Sequence, residues 1–222
     1  MKQAAKTFQA LIRGRRSIRR YEPRAIPPDV LRRILEAATW APSAHNRQPW
    51  RFVVLAEPSG REALARRMGE LLRSARTADG DDSADIEGDV RRSYNRIAGA
   101  AAAVVVFLTM EDMDTYPDER RSRAEELMAV QGAAMATQNL LIAAHAEGLG
   151  ACWMCAPLFC QDEVGAALGV PKHWLAQALI TLGFPASTGK PASRRPLDDV
   201  TLEHRFTLPP DPLVGFGEGE QS

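Results

Sequence analysis

Four short apolar runs, at residues 52–55, 104–108, 151–154 and 177–183, lie far apart in the chain, with segments of helical periodicity between them. The first two, FVVL and VVVFL, are rich in β-branched residues and carry no polar interruption. Runs of that length and type read as strands buried on both faces. Such strands need helices packed over them, so a layered fold follows. The 222 residues suffice for one large domain with a core that needs no disulfide or metal.

The intervening segments supply the helices. Residues 7–14 place Phe8, Leu11 and Ile12 at helical spacing, and Gly14 suits the end. Ile26-Pro27-Pro28-Asp29 opens a second helix, with Val30, Leu31, Ile34, Leu35 and Ala38 on one buried face. Residues 59–76 read as a helix with many surface charges. Residues 119–147 form a long one, whose Gly132, Ala133, Ala134 and Ala136 let another helix approach closely; Gly148 and Gly150 end it. Residues 162–168 read as a short helix. The stretch 77–89 (TADGDDSADIEGD) is acidic and nearly free of apolar residues, which predicts a mobile excursion within a single domain spanning 1–222. Residues 209–222 read as a loose tail.

Lys+Arg and Asp+Glu are equal at 28 each, which argues against nucleic acid as a partner while leaving room for a local anion pocket. No run reaches the ~18 consecutive apolar residues of a membrane helix, so no membrane partner is expected. The N-terminus has neither the apolar core nor the cleavage site of a secretory signal. The three cysteines fall between Cys152 and Cys160 and make no disulfide framework, so a reducing, cytoplasmic location is expected.

Two segments carry chemistry. Arg15-Arg16-Ser17-Ile18-Arg19 gathers guanidinium forks and a hydroxyl within five residues, a set suited to phosphate oxygens or to a solvated charged turn. Pro42-Ser43-Ala44-His45-Asn46-Arg47-Gln48-Pro49-Trp50 holds two amide side chains between prolines, fit to read the edge of a planar heterocycle or to make a rigid turn into a strand. Cys152-Trp153-Met154-Cys155 with Cys160 is one ligand short of a zinc site, so no metal is expected. It reads instead as small apolar packing.

Taken together, and followed by Arg194-Arg195-Pro196-Leu197-Asp198, these segments resemble the nitroreductase family of FMN-dependent oxidoreductases over about residues 7–205. The resemblance implies an α+β fold, a central mixed β-sheet flanked by helices, built as a homodimer with two FMN sites. It implies that Arg15, Arg16, Ser17 and Arg194 meet the FMN phosphate and ribityl chain, and that Arg19 faces the pyrimidine edge, where a cation stabilises the reduced ring. Pro42, Ser43, Asn46 and Gln48 would belong to the loop that reaches FMN from the partner subunit. Pro157 and Leu158 would pass the flavin with their backbone, and Phe159 would line the substrate cavity. The family often has a Lys where this chain has Ala192, so one phosphate contact is missing or supplied elsewhere, with Arg195 the candidate.

The implied activity passes electrons from NAD(P)H through FMN to a small nitroaromatic, quinone or conjugated acceptor in a ping-pong cycle, with no catalytic side chain. Tyr116 to Arg121, and the stretch from Gly148 to Trp174, also resemble the nitroreductase-like domain of coenzyme F-420 glutamyl ligases. That resemblance implies an alternative, the reduction of a dehydro precursor of a deazaflavin coenzyme by reduced FMN. A flavin or deazaflavin carrier without NAD(P)H turnover is a further alternative.

Overall fold

The computed structural model describes residues 2–202. The described residues fall into one compact unit, which ends at Lys190, and a second, small one, which begins at Pro191. The tail at 209–222 lies outside the described residues.

The larger unit runs α1 (Gln3–Gly14), α2 (Pro28–Thr39), β1 (Trp50–Leu55), α3 (Pro58–Ala78), α4 (Ser83–Ala98), β2 (Ala102–Leu108), α5 (Glu119–Ala146), β3 (Gly150–Met154), α6 (Gln161–Leu168) and β4 (Leu175–Gly183). The strands lie in the order β1-β2-β4-β3. The fold is α+β as expected, but among the described residues the sheet is not mixed: each strand pairing there is antiparallel. Among the described residues the one parallel element is an isolated bridge between Ser17 and Ala151, along the edge of β3.

Strand β2 is buried throughout, and its side chains alternate between two cores. Ala102, Val104, Val106 and Leu108 join Leu31 and Ile34 of α2 and Leu140 of α5. Ala103, Val105 and Phe107 join Leu64 and Met68 of α3 and Val164 of α6. A two-residue side-chain period requires this division between two layers of helices. In β4 the parity changes at Gln177, which has no partner where Val106 pairs with Ala178 and Phe107 with Ala176. That bulge puts Ala176 and Leu179 on one face and Ala178, Ile180 and Leu182 on the other.

Helix α5 packs its buried small residues Ala129, Gly132, Ala133 and Ala136 inward. By length and composition alone it is apolar enough to cross a membrane, but nine of its residues are buried within the protein.

The expected excursion at 77–89 is the end of α3, a tight turn through Gly80 (φ +82°), and the start of α4. Asp82 caps α4, its carboxylate accepting from the N–H groups of Ala84 and Asp85. Arg73 pairs with Glu87, and Arg76 pairs with Asp81 and Asp89. Asp81, Glu87 and Asp89 are thus matched by arginines of the neighbouring helix, and Asp82 by the helix start it caps, rather than left to solvate a loop.

Candidate functional site

The basic segment leaves α1 at Gly14 and lies along the sheet edge. Ile18 N–H donates to Ala151 O at 2.9 Å. Tyr21 Oη lies 2.6 Å from Ile18 O, 3.0 Å from Thr181 O and 2.8 Å from Thr181 Oγ1, which ties the segment to β4. Burial pushes the Tyr21 hydroxyl well above its usual range, so it stays protonated and keeps these bonds. Two glycines permit the approach. A Cβ on Gly150 would lie 2.7 Å from Ile18, and one on Gly183 would lie 2.8 Å from the Tyr21 ring.

This placement gathers cations over Cys152. Burial raises the Cys152 thiol, and the nearby charges of Arg19, Arg96 and Arg15 oppose the rise. A cavity of about 630 Å³ opens here, lined by Arg19, Arg20, Tyr21, Arg92, Asn95, Arg96, Gly99 and Lys190. Its size falls in the ~300–1,000 Å³ range of small-molecule sites. Five of the eight lining residues are cationic and none is acidic. Arg92 is paired with Asp89. Arg19, Arg20, Arg96 and Lys190 make no ion pair among the described residues. Repulsion among them is relieved by an anionic ligand.

Arg16 is partly committed, its Nη1 donating to Arg13 O at 2.5 Å and to Arg15 O at 2.9 Å, where the helix has spare carbonyls. Ser17 is exposed beside β3. Arg194 lies in the second unit, exposed, with its Nη1 donating to Ser193 O at 2.7 Å. Pro157 is buried in a 3-10 turn, Ala156–Phe159, directly after β3. Leu158 is exposed, and its N–H is engaged by Cys155 O at 3.0 Å, so that N–H is not free for a ligand. Phe159 is 90% exposed.

The second motif is a strained loop. His45, Asn46 and Gln48 have φ of +49°, +54° and +50°, which costs each on the order of 1 kcal/mol or more. Ser43 Oγ accepts from Gln48 N–H at 2.9 Å. Pro49 and Ser43 sit against Gly132 of α5, where a Cβ would lie 3.2 Å from Pro49 and 3.4 Å from Ser43. Pro42, Asn46 and Gln48 are exposed. Gly14, at the start of the basic segment, instead abuts His145 of α5. His145 and Gly132 are 13 residues apart on one helix, or about 20 Å at 1.5 Å per residue. One chain therefore holds the two motifs at separate points along α5 and does not bring them together.

The sequence reading missed Asn95, Arg96 and Lys190. The first two sit on α4, whose acidic start reads as loop. Lys190 stands two residues before Ala192, the position noted for its missing Lys, and it lies in the cationic cavity.

Residues 12–184 match the model of the nitroreductase family. The chain is 32% identical over 212 residues to a Thermus thermophilus NADH dehydrogenase, covering 85% of this chain and 91% of that one. It is similar to the structure of a Desulfovibrio desulfuricans protein assigned as a nitroreductase and solved in complex with FMN. The TM-score is 0.69 at 32% identity, covering 93% of this chain and 99% of that one. The FMN-dependent nitroreductase NfnB of Mycobacterium smegmatis, solved with NADPH, shares the fold. There the TM-score is 0.71 at 22% identity, covering 91% of this chain and 100% of that one. The chain belongs to the nitroreductase family, and by that membership it is an oxidoreductase.

Proposed function

We propose that the protein is an FMN-dependent NAD(P)H oxidoreductase acting on a small nitroaromatic, quinone or conjugated acceptor. The observation that carries this reading is the acid-free cavity between the basic segment and α4, where Arg19, Arg20, Arg96 and Lys190 have no ion-pair partner among the described residues. That donor set fits a phosphorylated, electron-rich heterocycle. Arg15, Arg16 and Ser17 would take the phosphate and ribityl chain. Lys190 supplies the cation absent at Ala192. Arg19 holds positive charge at the pyrimidine edge, and Asn95 offers an amide that can both donate and accept. Leu158 and Phe159 offer apolar surface to the acceptor. FMN, when bound, supplies the two-electron chemistry between NAD(P)H and acceptor.

Two features support a homodimer. Helix α1 buries no residue and exposes Phe8 (56%) and Ile12 (44%), while α5 exposes Leu127 (49%) and Met135 (39%). A second copy would cover these faces. The 20 Å separation of the motifs also fits Ser43 and Asn46 serving the partner's FMN. The three unpaired thiols fit a reducing, cytoplasmic compartment.

The test is an absorbance spectrum from ~300 to ~550 nm of the purified protein reconstituted with FMN, recorded before and after anaerobic NADPH or NADH. A flavin band that bleaches supports the reading. A band that stays turns the assignment to a carrier or to another reductant, and no band after incubation with FMN overturns it.

A further inference from the structure

The strained loop between α2 and β1 is gripped at its middle by charge. Arg47 lies between Asn46 and Gln48, and its Nη2 donates to Asp114 Oδ1 at 2.6 Å. Its Nε is buried and makes no hydrogen bond among the described residues, so the guanidinium depends on that aspartate. Arg51, just beyond, donates from Nη1 to Gln48 O at 3.0 Å and to Trp50 O at 2.9 Å, and its Nη2 lies 3.6 Å from Asp112 Oδ2. Both aspartates belong to the connector 109–118 between β2 and α5.

The connector is itself pinned. Thr109 N–H donates to Pro49 O at 2.9 Å. Asp114 N–H donates to Glu125 Oε1 at 3.1 Å. Glu125 belongs to α5 and is 1% exposed. A carboxylate that deep is costly, and its hydrogen bond goes to the one residue that grips Arg47. Gly132 already seats the loop's flanks, Ser43 and Pro49, on α5. What the charges add is a fixed position for the stretch carrying the two amides.

We propose that Glu125, Asp114 and Arg47 are positioning residues for the cofactor. Glu125 fixes the connector, Asp114 on the connector fixes Arg47, and Arg47 holds Asn46 and Gln48 in the left-handed conformation that presents them to FMN. The inference rests on the flavin reading above.

The test titrates FMN-free protein with FMN and follows flavin fluorescence and the visible absorption band. It compares the unaltered chain, Asp114→Asn, Arg47→Gln, and the charge-reversed pair Arg47→Asp with Asp114→Arg. Each single variant is expected to raise Kd for FMN about tenfold and to shift the band of bound flavin. The reversed pair is expected to return Kd to within about threefold of the unaltered protein and to restore the band, which a merely loosened fold would not do. Singles that bind as tightly as the unaltered chain overturn the proposal, and so does a reversed pair no better than the singles. The two singles remove the same ion pair from opposite elements, so a variant that fails to fold leaves the other to decide. If the unaltered chain binds no FMN, the flavin reading itself is overturned, a result distinct from either of these.

Discussion

His145 reports on the site from one residue's distance. It lies in the last turn of α5, where the helix dipole by itself favours a protonated imidazole. Burial, and then the charges of Arg15 and Arg16, outweigh that and hold its pKa below the usual 6.5. The sign follows from linkage. As pH falls, the unfolded chain takes up this proton first. The stability is therefore full above pH 6.5 and is lost progressively as pH drops below it. A phosphate bound by Arg15 and Arg16 cancels part of their field and raises the His145 pKa. An NMR titration of its ring protons, with and without saturating FMN, is expected to show an upward move. An unmoved midpoint would place the phosphate away from these arginines. The basic segment was legible because its donors are consecutive in the chain. Asn95, Arg96 and Lys190 were not, because only the packing of α4 and the chain after β4 brings them to the same cavity.

At the scale of elements, the close lie of the basic segment on β3 is the contact that makes the site. Gly150→Ala places a Cβ 2.7 Å from the branched Cβ and Cγ2 of Ile18, which cannot swing aside as a long side chain would. The expected loss is about 1–3 kcal/mol, or several degrees in Tm for a chain of this size, together with weaker FMN binding. Gly165→Ala is the control. Its Cβ would meet Val170 at 3.6 Å, an ordinary contact, and replacing a glycine within α6 is expected to stabilise by up to about 1 kcal/mol. Equal losses from both variants in thermal unfolding would mean that the segment is not seated as described. The four strands were readable because β-branched runs buried on two faces have few alternatives. Helix α4 was not, since it buries only Ile86 and Ile97 and draws its support from the Asp82 cap and the arginines of α3. The mixed sheet expected from the resemblance is an antiparallel one, with the Ser17–Ala151 bridge its only parallel pairing among the described residues.

For the whole molecule, the question is which copy's loop completes which copy's cavity. Within one chain the loop at Gly132 and the basic segment at His145 are held about 20 Å apart along α5, and a rigid helix does not bend to close that gap. The dimer reading assigns Arg15 to a subunit's own flavin and Asn46 to its partner's. Two weak-binding variants, Arg15→Ala and Asn46→Ala, then differ in which chain they damage. Unfolded together and refolded, about half of the dimers are mixed. In each mixed dimer, one site carries both lesions. The other pairs the intact Arg15 of one chain with the intact Asn46 of the other, so roughly a quarter of all sites regain tight FMN binding. If the loop served its own chain, every site in the mixture would carry one lesion and nothing would be regained. Counting tightly bound flavin in the refolded mixture therefore separates the two arrangements. A mixture no better than its parents, at a sedimentation coefficient that confirms dimers, would assign the loop to its own subunit and leave the separation along α5 to be bridged by a change in the chain itself.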